Sequence, residues 1–138
     1  MSALLIRAAL EVAIAAMTPP LSIAYENAPF TPVAGTAYQR ATLLLNEPAN
    51  DEIGRPGMYR QDGIYQLDLA YPLNGGPGAA TTRAELIRST FYRGASFTAS
   101  GATVHIERTP EIAPGRVEAD RFIIPVRVRF YAHIEGAA

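Results

Sequence analysis

The sequence predicts an α+β fold in which two helices pack on one face of a mostly antiparallel sheet. Two segments carry apolar residues at helical spacing, and several others alternate apolar with polar residues. The links between the alternating segments are of hairpin length, which favours antiparallel pairing. A chain of 138 residues is the size of one domain, so we expect residues 1–138 to form a single domain.

The first helix is predicted over residues 2–17, where apolar side chains recur every three or four positions. Arg7 and Glu11 lie one turn apart and form a narrow polar strip on the remaining side. Pro19 and Pro20 end the helix because proline lacks the amide proton that a helix needs.

Two strands and two irregular segments follow. Residues 22–26 and 38–45 are the strand candidates, and the prolines of residues 27–35 favour a loop between them. Residues 46–57 contain few apolar side chains and many acidic residues, prolines and glycines. We expect this segment to be a long mobile loop.

The middle of the chain predicts a strand and then the second helix. Residues 58–71 alternate apolar and polar side chains, which is typical of a strand with one buried face. Residues 79–91 have helical spacing, with Arg83 and Arg88 expected in solvent. Gly94 closes this helix, as glycine commonly does.

The last third of the chain predicts a hairpin and a long final strand. Residues 96–99 and 103–108 form the hairpin, and residues 121–131 have the clearest alternation in the sequence. Pro125 cannot donate a hydrogen bond to a neighbouring strand, so we expect this strand at a sheet edge or with a bulge. Residues 132–138 are expected to be a flexible tail.

The sheet face away from the helices is predicted to be polar, because one set of alternating positions in the strands carries hydrophilic side chains. Its members are Arg40, Gln66, Asp68, His105, Glu107, Arg127 and Arg129.

Composition excludes several classes of protein. The formal net charge is −1 and all twelve basic residues are Arg, so no overall field draws the chain to DNA or an anionic membrane. Cysteine is absent, which excludes disulfides and thiolate metal sites. Arg7 and Glu11 interrupt the apolar start, and no apolar stretch has the length of a membrane span. We therefore expect an unexported protein that works in a reducing cytoplasm.

No segment carries a catalytic, cofactor or metal signature. His105 and His133 are the only histidines, and they lie far apart in the sequence without a spaced acidic partner. The glycine-rich residues 75–78 precede a helix but lack the Gly-Lys-Ser/Thr ending of a phosphate loop. The acidic residues near Asp51 lack calcium-loop spacing. We expect no enzyme activity and no cofactor.

Nucleic-acid binding is weakly supported. Arg121, Arg127 and Arg129 lie close to Tyr131 on the last strand, but acidic residues are expected beside them on the polar face. Cross-strand ion pairing explains these charges, so DNA contact is expected to be weak and non-specific at most.

Four segments of the chain, residues 25–40, 63–72, 83–94 and 106–112, carry a recognisable pattern, and the motif Glu26-Asn27-Ala28-Pro29-Phe30 is its most distinctive part. By these segments residues 3–131 resemble a family of small prophage-encoded proteins described as tail-terminator-like. Such proteins are similar to the tail terminator of lambda-like phages, whose α+β subunits form a hexameric ring on the tail tube. The resemblance implies a structural protein of the phage tail, assembled in the host cytoplasm.

The implied partners are further copies of the chain, the tail tube protein and head–tail connector proteins. A ring of identical subunits needs two different patches on each subunit. Candidate contact residues lie in the two irregular segments and on the sheet: Glu26, Asn27, Phe30, Pro32, Arg40, Asp51, Glu52, Arg55, Pro125, Arg127 and Arg129. Phe30 is the expected anchor. A head–tail joining or neck protein is the first alternative, and a small hydrolase or nucleic-acid-processing factor is the second.

Overall fold

A computed structural model describes residues 2–50, 59–99 and 102–134, and confirms the α+β fold class. Two helices and nine strands lie within these residues. Their bounds are α1 Ser2–Ala15, β1 Ser22–Ala24, β2 Tyr38–Leu45, β3 Ala49–Asn50, β4 Tyr59–Pro72, α2 Gly78–Thr90, β5 Ser96–Ala99, β6 Ala102–Ile106, β7 Glu111–Ile112, β8 Arg116–Glu118 and β9 Arg121–Ile134.

The strands form one mixed sheet in the order β1-β2-β4-β9-β6-β5. Strand β1 runs parallel to β2, and the other pairs are antiparallel. The central ladder joins β4 to β9 over their whole length, from Tyr59 opposite Ile134 to Pro72 opposite Arg121. The short strands β3, β7 and β8 add to this centre, β3 on β4 and the other two on β9.

One hydrophobic core lies between the sheet and the two helices. Alternate residues of β4 and β9 point toward the helices because successive side chains of a strand face opposite ways. The fully buried apolar side chains on the two central strands and the helices include Tyr65, Leu67, Leu69, Val126, Val128, Phe130, Ile6, Leu10, Ile14, Ala84 and Ile87. The apolar face predicted for the second helix is confirmed, whereas the apolar side chains predicted to line the first helix are only partly buried, since Val12 and Ala16 are exposed.

Gly63 allows β4 and β9 to approach at the position of a large aromatic ring. A Cβ atom at Gly63 would lie 2.6 Å from the Leu44 carbonyl oxygen and 2.7 Å from Cζ of Phe130. Phe130 is fully buried and lies directly opposite Gly63 in the ladder. Glycine contributes no side-chain packing at this position, but the absence of a side chain leaves the space that the Phe130 ring occupies.

The predicted edge position of the last strand was wrong. Strand β9 is central, and Pro125 is a buried residue opposite Asp68 with no bulge between β4 and β9. The Pro125 carbonyl accepts a hydrogen bond from the Ala113 amide at 2.9 Å. Since the N–H and C=O of one residue in an antiparallel strand point the same way, the proline nitrogen faces residues 113–115, between β7 and β8. The neighbouring ladder is interrupted at that point, so no amide proton is needed there.

Several boundaries differ from the sequence prediction. Strand β9 continues to Ile134, three residues beyond the predicted end, and Ile134 is buried. Ala49 and Asn50 lie in the predicted 46–57 loop, yet they pair with β4. Arg83, expected in solvent, is only 5% exposed and donates a hydrogen bond to the Pro19 carbonyl.

Candidate assembly surface

Glu26 joins three elements at the end of β1. Its carboxylate accepts a hydrogen bond from Arg7 of α1 at 2.9 Å and one from the Leu43 amide of β2 at 2.7 Å. Strand β1 pairs with β2 only as far as Arg40, so the Glu26 side chain replaces a strand partner farther along β2. The Leu43 amide and the Arg7 guanidinium hold the pKa of Glu26 below its usual value. Glu26, which belongs to the most distinctive motif, therefore stabilises the fold of the subunit itself.

The segment after Glu26 ends in an exposed turn. Asn27 has a positive φ of 52°, a conformation that asparagine tolerates better than most residues. The ring of Phe30 packs against Tyr38 with centroids 4.9 Å apart. Residues 33–36 then form a turn in which the Thr36 amide donates to the Val33 carbonyl, with Gly35 at a φ of 78°. We call these four residues the 33–36 turn.

Arg121 fixes the 33–36 turn to the sheet. It is 5% exposed and donates hydrogen bonds to the carbonyl oxygens of Val33, at 2.7 Å, and Thr36. Its guanidinium also lies over the Tyr38 ring, 5.1 Å from the centroid. Every residue from 31 to 36 is exposed, and the side chain of Val33 is 63% exposed. The turn is thus an ordered projection with an apolar side chain on it.

The polar sheet face carries paired charges. Arg127 and Arg129 both bond to Glu111 of β7, at 3.4 Å and 3.0 Å. These two arginines, with the Arg129 hydrogen bond foremost, lower the pKa of Glu111. The expected acidic pairing is confirmed for Arg127 and Arg129 but not for Arg121, which bonds to backbone carbonyls. The acidic partner is Glu111, which sequence reasoning missed because β7 is too short to show a strand pattern.

A second charged group lies on the same face. Arg60 bonds to Asp62 at 2.7 Å and to Glu107 at 2.8 Å, and its guanidinium lies 4.1 Å from the centre of the Tyr131 ring. Arg40 lies opposite Asp68 in the ladder and lines a polar cleft of about 280 Å³ between β2 and β8. These acids balance the arginines locally, so the face presents no continuous positive surface among the described residues.

The outward side of α1 carries exposed apolar side chains beside one acid, Glu11. Leu4 and Val12 are each 66% exposed, and Ala8 and Ala15 lie on the same side at helical spacing. A groove of about 540 Å³ runs beside this helix toward β5 and is lined mainly by apolar side chains. We call it the α1 groove. Its lining consists of Ala9, Val12, Ala13, Ala16, Met17 and Phe97 together with the hydroxyl residues Thr18, Thr90, Ser96 and Thr98.

The two histidines lie together on the polar face. The His105 ring stacks on Tyr131 with centroids 5.1 Å apart, and His133 meets the edge of the same ring at 5.8 Å. His105 Nδ1 also lies 3.0 Å from Ser96 Oγ. No carboxylate among the described residues bonds to the other nitrogen of His105, so the third member of a nucleophilic triad is missing there. The part of the chain that the structure describes also holds no cluster of three or more metal-ligating side chains.

Comparison with known proteins assigns the family. The sequence profile of the phage tail terminator protein family matches residues 5–130. The chain belongs to the phage tail terminator family. A solved structure with 25% sequence identity is also similar to it, with a TM-score of 0.75, and the match covers 100% of this chain and 99% of that one. No curated protein matches the chain.

Membership of the tail terminator family confirms the resemblance that the motifs indicated. It gives the protein a structural role in the phage tail, a place in the virion tail and contacts with other tail or head proteins. Neither described helix of this family member has the length and apolar character needed to cross a bilayer.

In this tail terminator fold the candidate contact residues lie in two regions. Glu26, Asn27, Phe30 and Pro32 lead to the 33–36 turn, whereas Arg40, Arg127 and Arg129 lie on the polar sheet face. Pro125 is buried in the centre of the sheet. The remaining three candidates, Asp51, Glu52 and Arg55, lie outside the described residues.

Two features of the surface are not evident from the sequence, and a third is. Arg121 has the pattern of a charge on the polar face, but it anchors the turn through two backbone carbonyls. Val33 is one apolar residue among prolines. The third feature, the exposed apolar side chains of α1, is evident from the sequence. The helix contains only two charged residues, whereas a helix with one side in water usually carries more.

Proposed function

We propose that the protein terminates the phage tail tube by forming a ring on its end, and that the ring presents a second surface for joining the head. The observation that carries this proposal is the family match over residues 5–130, which includes both helices almost completely and most of every long strand. The ring is proposed to contain six subunits, as the resemblance to the lambda-like terminator implies.

The proposed mechanism is geometric. Identical subunits that join head to tail form a closed ring when two different patches on each subunit meet at a fixed rotation. One side of the ring matches the last layer of the tube, and the other side does not accept further tube protein. Growth ends at that layer. The sheet has two different edges that could make such contacts, because no described strand covers the outer edge of β1 or of β5.

The proposed partners are further copies of the chain, the tail tube protein and a head–tail connector protein. Assembly takes place in the host cytoplasm. DNA that passes through the ring makes weak contacts at most, because the arginines of the polar face are neutralised by Glu111, Asp62 and Glu107. The protein acts without catalysing a reaction.

The test is to add purified protein to growing tail tubes and to examine their ends by electron microscopy. Tubes of defined length with a ring on one end are expected, while tubes grown without the protein continue to lengthen. Unchanged length distributions with bare ends would falsify the proposal. A protein that binds heads but leaves tube length unchanged would instead be a head–tail joining protein.

The alternative of a small hydrolase is tested by alanine replacement of the histidine pair. His105→Ala and His133→Ala remove both imidazole groups near Ser96 and Tyr131. Tube capping is expected to be retained in each variant, because neither ring is needed for a structural role. Loss of capping by a folded His105→Ala variant would count against a purely geometric mechanism.

A further inference from the structure

We infer that the α1 groove is a docking surface for a second copy of this chain, and that the segment it receives is the 33–36 turn of that copy. This inference rests on the proposed ring and names the contact that would hold it together. It joins an apolar concave surface to an apolar projection.

The side of α1 next to β5 carries an exposed apolar side chain. Leu4, Ala8, Val12 and Ala15 follow one another along the outward side of the helix, and Glu11 lies among them, three residues after Ala8 and four before Ala15. Arg7 lies on the flank away from Val12 and is already engaged by Glu26. Val12, at the opposite edge of this side, is 66% exposed although the groove beside it has no charged lining, which is expected where a further surface covers it.

The α1 groove gives this surface a concave shape. Val12, Ala13 and Ala16 line one wall, the partly buried ring of Phe97 lies on β5, and Met17 lies beside the core. No charged side chain of the described residues lines the groove. The outer edge of β5 beside it has no partner among the described strands, so backbone donors and acceptors are available next to the apolar groove.

The 33–36 turn has the complementary properties. Residues 27–37 contain no charged side chain, and Val33 is the exposed large apolar residue of this segment. Neither surface would bury an unpaired charge on contact, which is the usual electrostatic penalty of association. The hydrogen bonds of Arg121 hold the turn in place beforehand, so little conformational freedom is lost when it binds.

The two surfaces belong to different parts of the subunit. The turn leads into β2, next to the β1 end of the strand order, and the groove lies beside β5 at the other end. A contact between unlike surfaces is heterologous, so each subunit can use both at once and a chain of such contacts can close into a ring. The other candidate occupant is the tail tube protein, which the experiment below separates.

The test uses disulfide formation, which is well suited to this chain because it contains no cysteine. Val33→Cys is purified separately from Val12→Cys, Ala13→Cys and Ala16→Cys, and each pair is mixed and oxidised during ring formation on tail tubes. At least one mixture is expected to yield a linked dimer that no single variant gives alone, since a disulfide requires Cα atoms within about 7 Å. Val117→Cys is the matched control, because Val117 is 66% exposed on β8 and belongs neither to the 33–36 turn nor to the lining of the α1 groove.

Other linkage patterns would overturn the inference. Linkage of Val12→Cys to itself would indicate a symmetrical contact between two α1 helices. Linkage of Val33→Cys to tube protein carrying cysteines on its exposed end would assign the turn to the tube. Wild-type rings on tubes with no linked dimer in any mixture would reject the contact and leave the proposed function intact, whereas bare tubes with wild-type protein would reject the function itself.

A charge substitution gives a second measurement. Val33→Asp and Val12→Asp change exposed side chains, so the subunit is expected to fold, but each places a carboxylate in the apolar contact. Ring formation is expected to need at least about tenfold more protein. Val117→Asp, at equal exposure to Val12, is expected to assemble like the wild type. Equal assembly of all three variants would contradict the inference.

Discussion

Arg7 and Glu26 form an ion pair at 2.9 Å that ties the first helix to the end of the first strand. The same carboxylate oxygen accepts the Leu43 amide of β2, so one acidic group stabilises the arrangement of three elements. Both side chains of the pair are about one-third exposed. The hydrogen bond from the backbone is therefore the larger part of the effect, because water screens the ion pair.

Glu26→Gln is expected to remove a pH-dependent part of the free energy of unfolding. The pKa of Glu26 is lowered in the folded state, so the unfolded state takes up the proton first as the pH falls. The stability that Glu26 supplies is complete above its usual pKa and is lost as the pH falls through the lower folded pKa. Urea unfolding should show the wild type more stable by about 1 kcal/mol at pH 7. This difference should shrink in acid, and one independent of pH would refute the assignment.

Arg121→Met is expected to release the 33–36 turn. The substitution preserves most of the apolar stem of the arginine side chain but removes the N–H groups that donate to the Val33 and Thr36 carbonyls. We expect a loss of about 2 kcal/mol in the free energy of unfolding. Hydrogen exchange at the Thr36 amide should become faster. Arg116→Met is the control, since Arg116 is exposed and pairs with exposed Glu118. Equal effects of the two substitutions would contradict the anchoring role.

Gly63→Ala is expected to destabilise the subunit by about 1–3 kcal/mol, because a methyl group would overlap a backbone carbonyl and the buried Phe130 ring. Gly78→Ala is the matched control. Gly78 is the first residue of α2, and a Cβ atom there would meet no described atom within 4 Å, so alanine should be neutral or slightly stabilising. Thermal unfolding of both variants checks the prediction, and an undisturbed Gly63→Ala protein would be inconsistent with the close approach.

Glu111→Gln is expected to increase retention on heparin or DNA. The substitution removes the negative charge that Arg127 and Arg129 share, and the freed guanidinium groups become available to phosphate or sulfate. Elution should require more salt than for the wild type. Glu47→Gln changes the net charge equally but breaks no ion pair among the described residues, so equal shifts for both variants would show that only net charge matters.

The long elements of the fold were predictable because their patterns are long. Both helices and the strands β2, β4 and β9 extend over enough residues for alternation or helical spacing to be recognised. Strands β3, β7 and β8 contain two or three residues, and their pairing depends on the neighbouring strand rather than on local pattern. The central position of Pro125 was unpredictable for the same reason. The interruption between β7 and β8, which leaves the proline nitrogen without a strand partner, lies in another segment of the chain.

The candidate surface was harder to predict than the fold. Charged residues are usually exposed, so sequence reasoning places Arg121 and Arg83 on the surface, but backbone carbonyls distant in sequence hold both of them in the interior. Phe30 was a reasonable anchor by composition, yet its packing against Tyr38 leaves Val33 more exposed. These differences in exposure follow from tertiary contacts, which a single sequence does not display.

The long ladder between β4 and β9 determines when a newly made subunit becomes usable. Its two strands are separated by α2 and four shorter strands, so the centre of the sheet pairs two segments that are distant in the sequence. Pairing of distant segments is slow, and until it occurs the apolar face of β4 stays accessible to other chains. A subunit is therefore competent for assembly only after β9 has paired with β4.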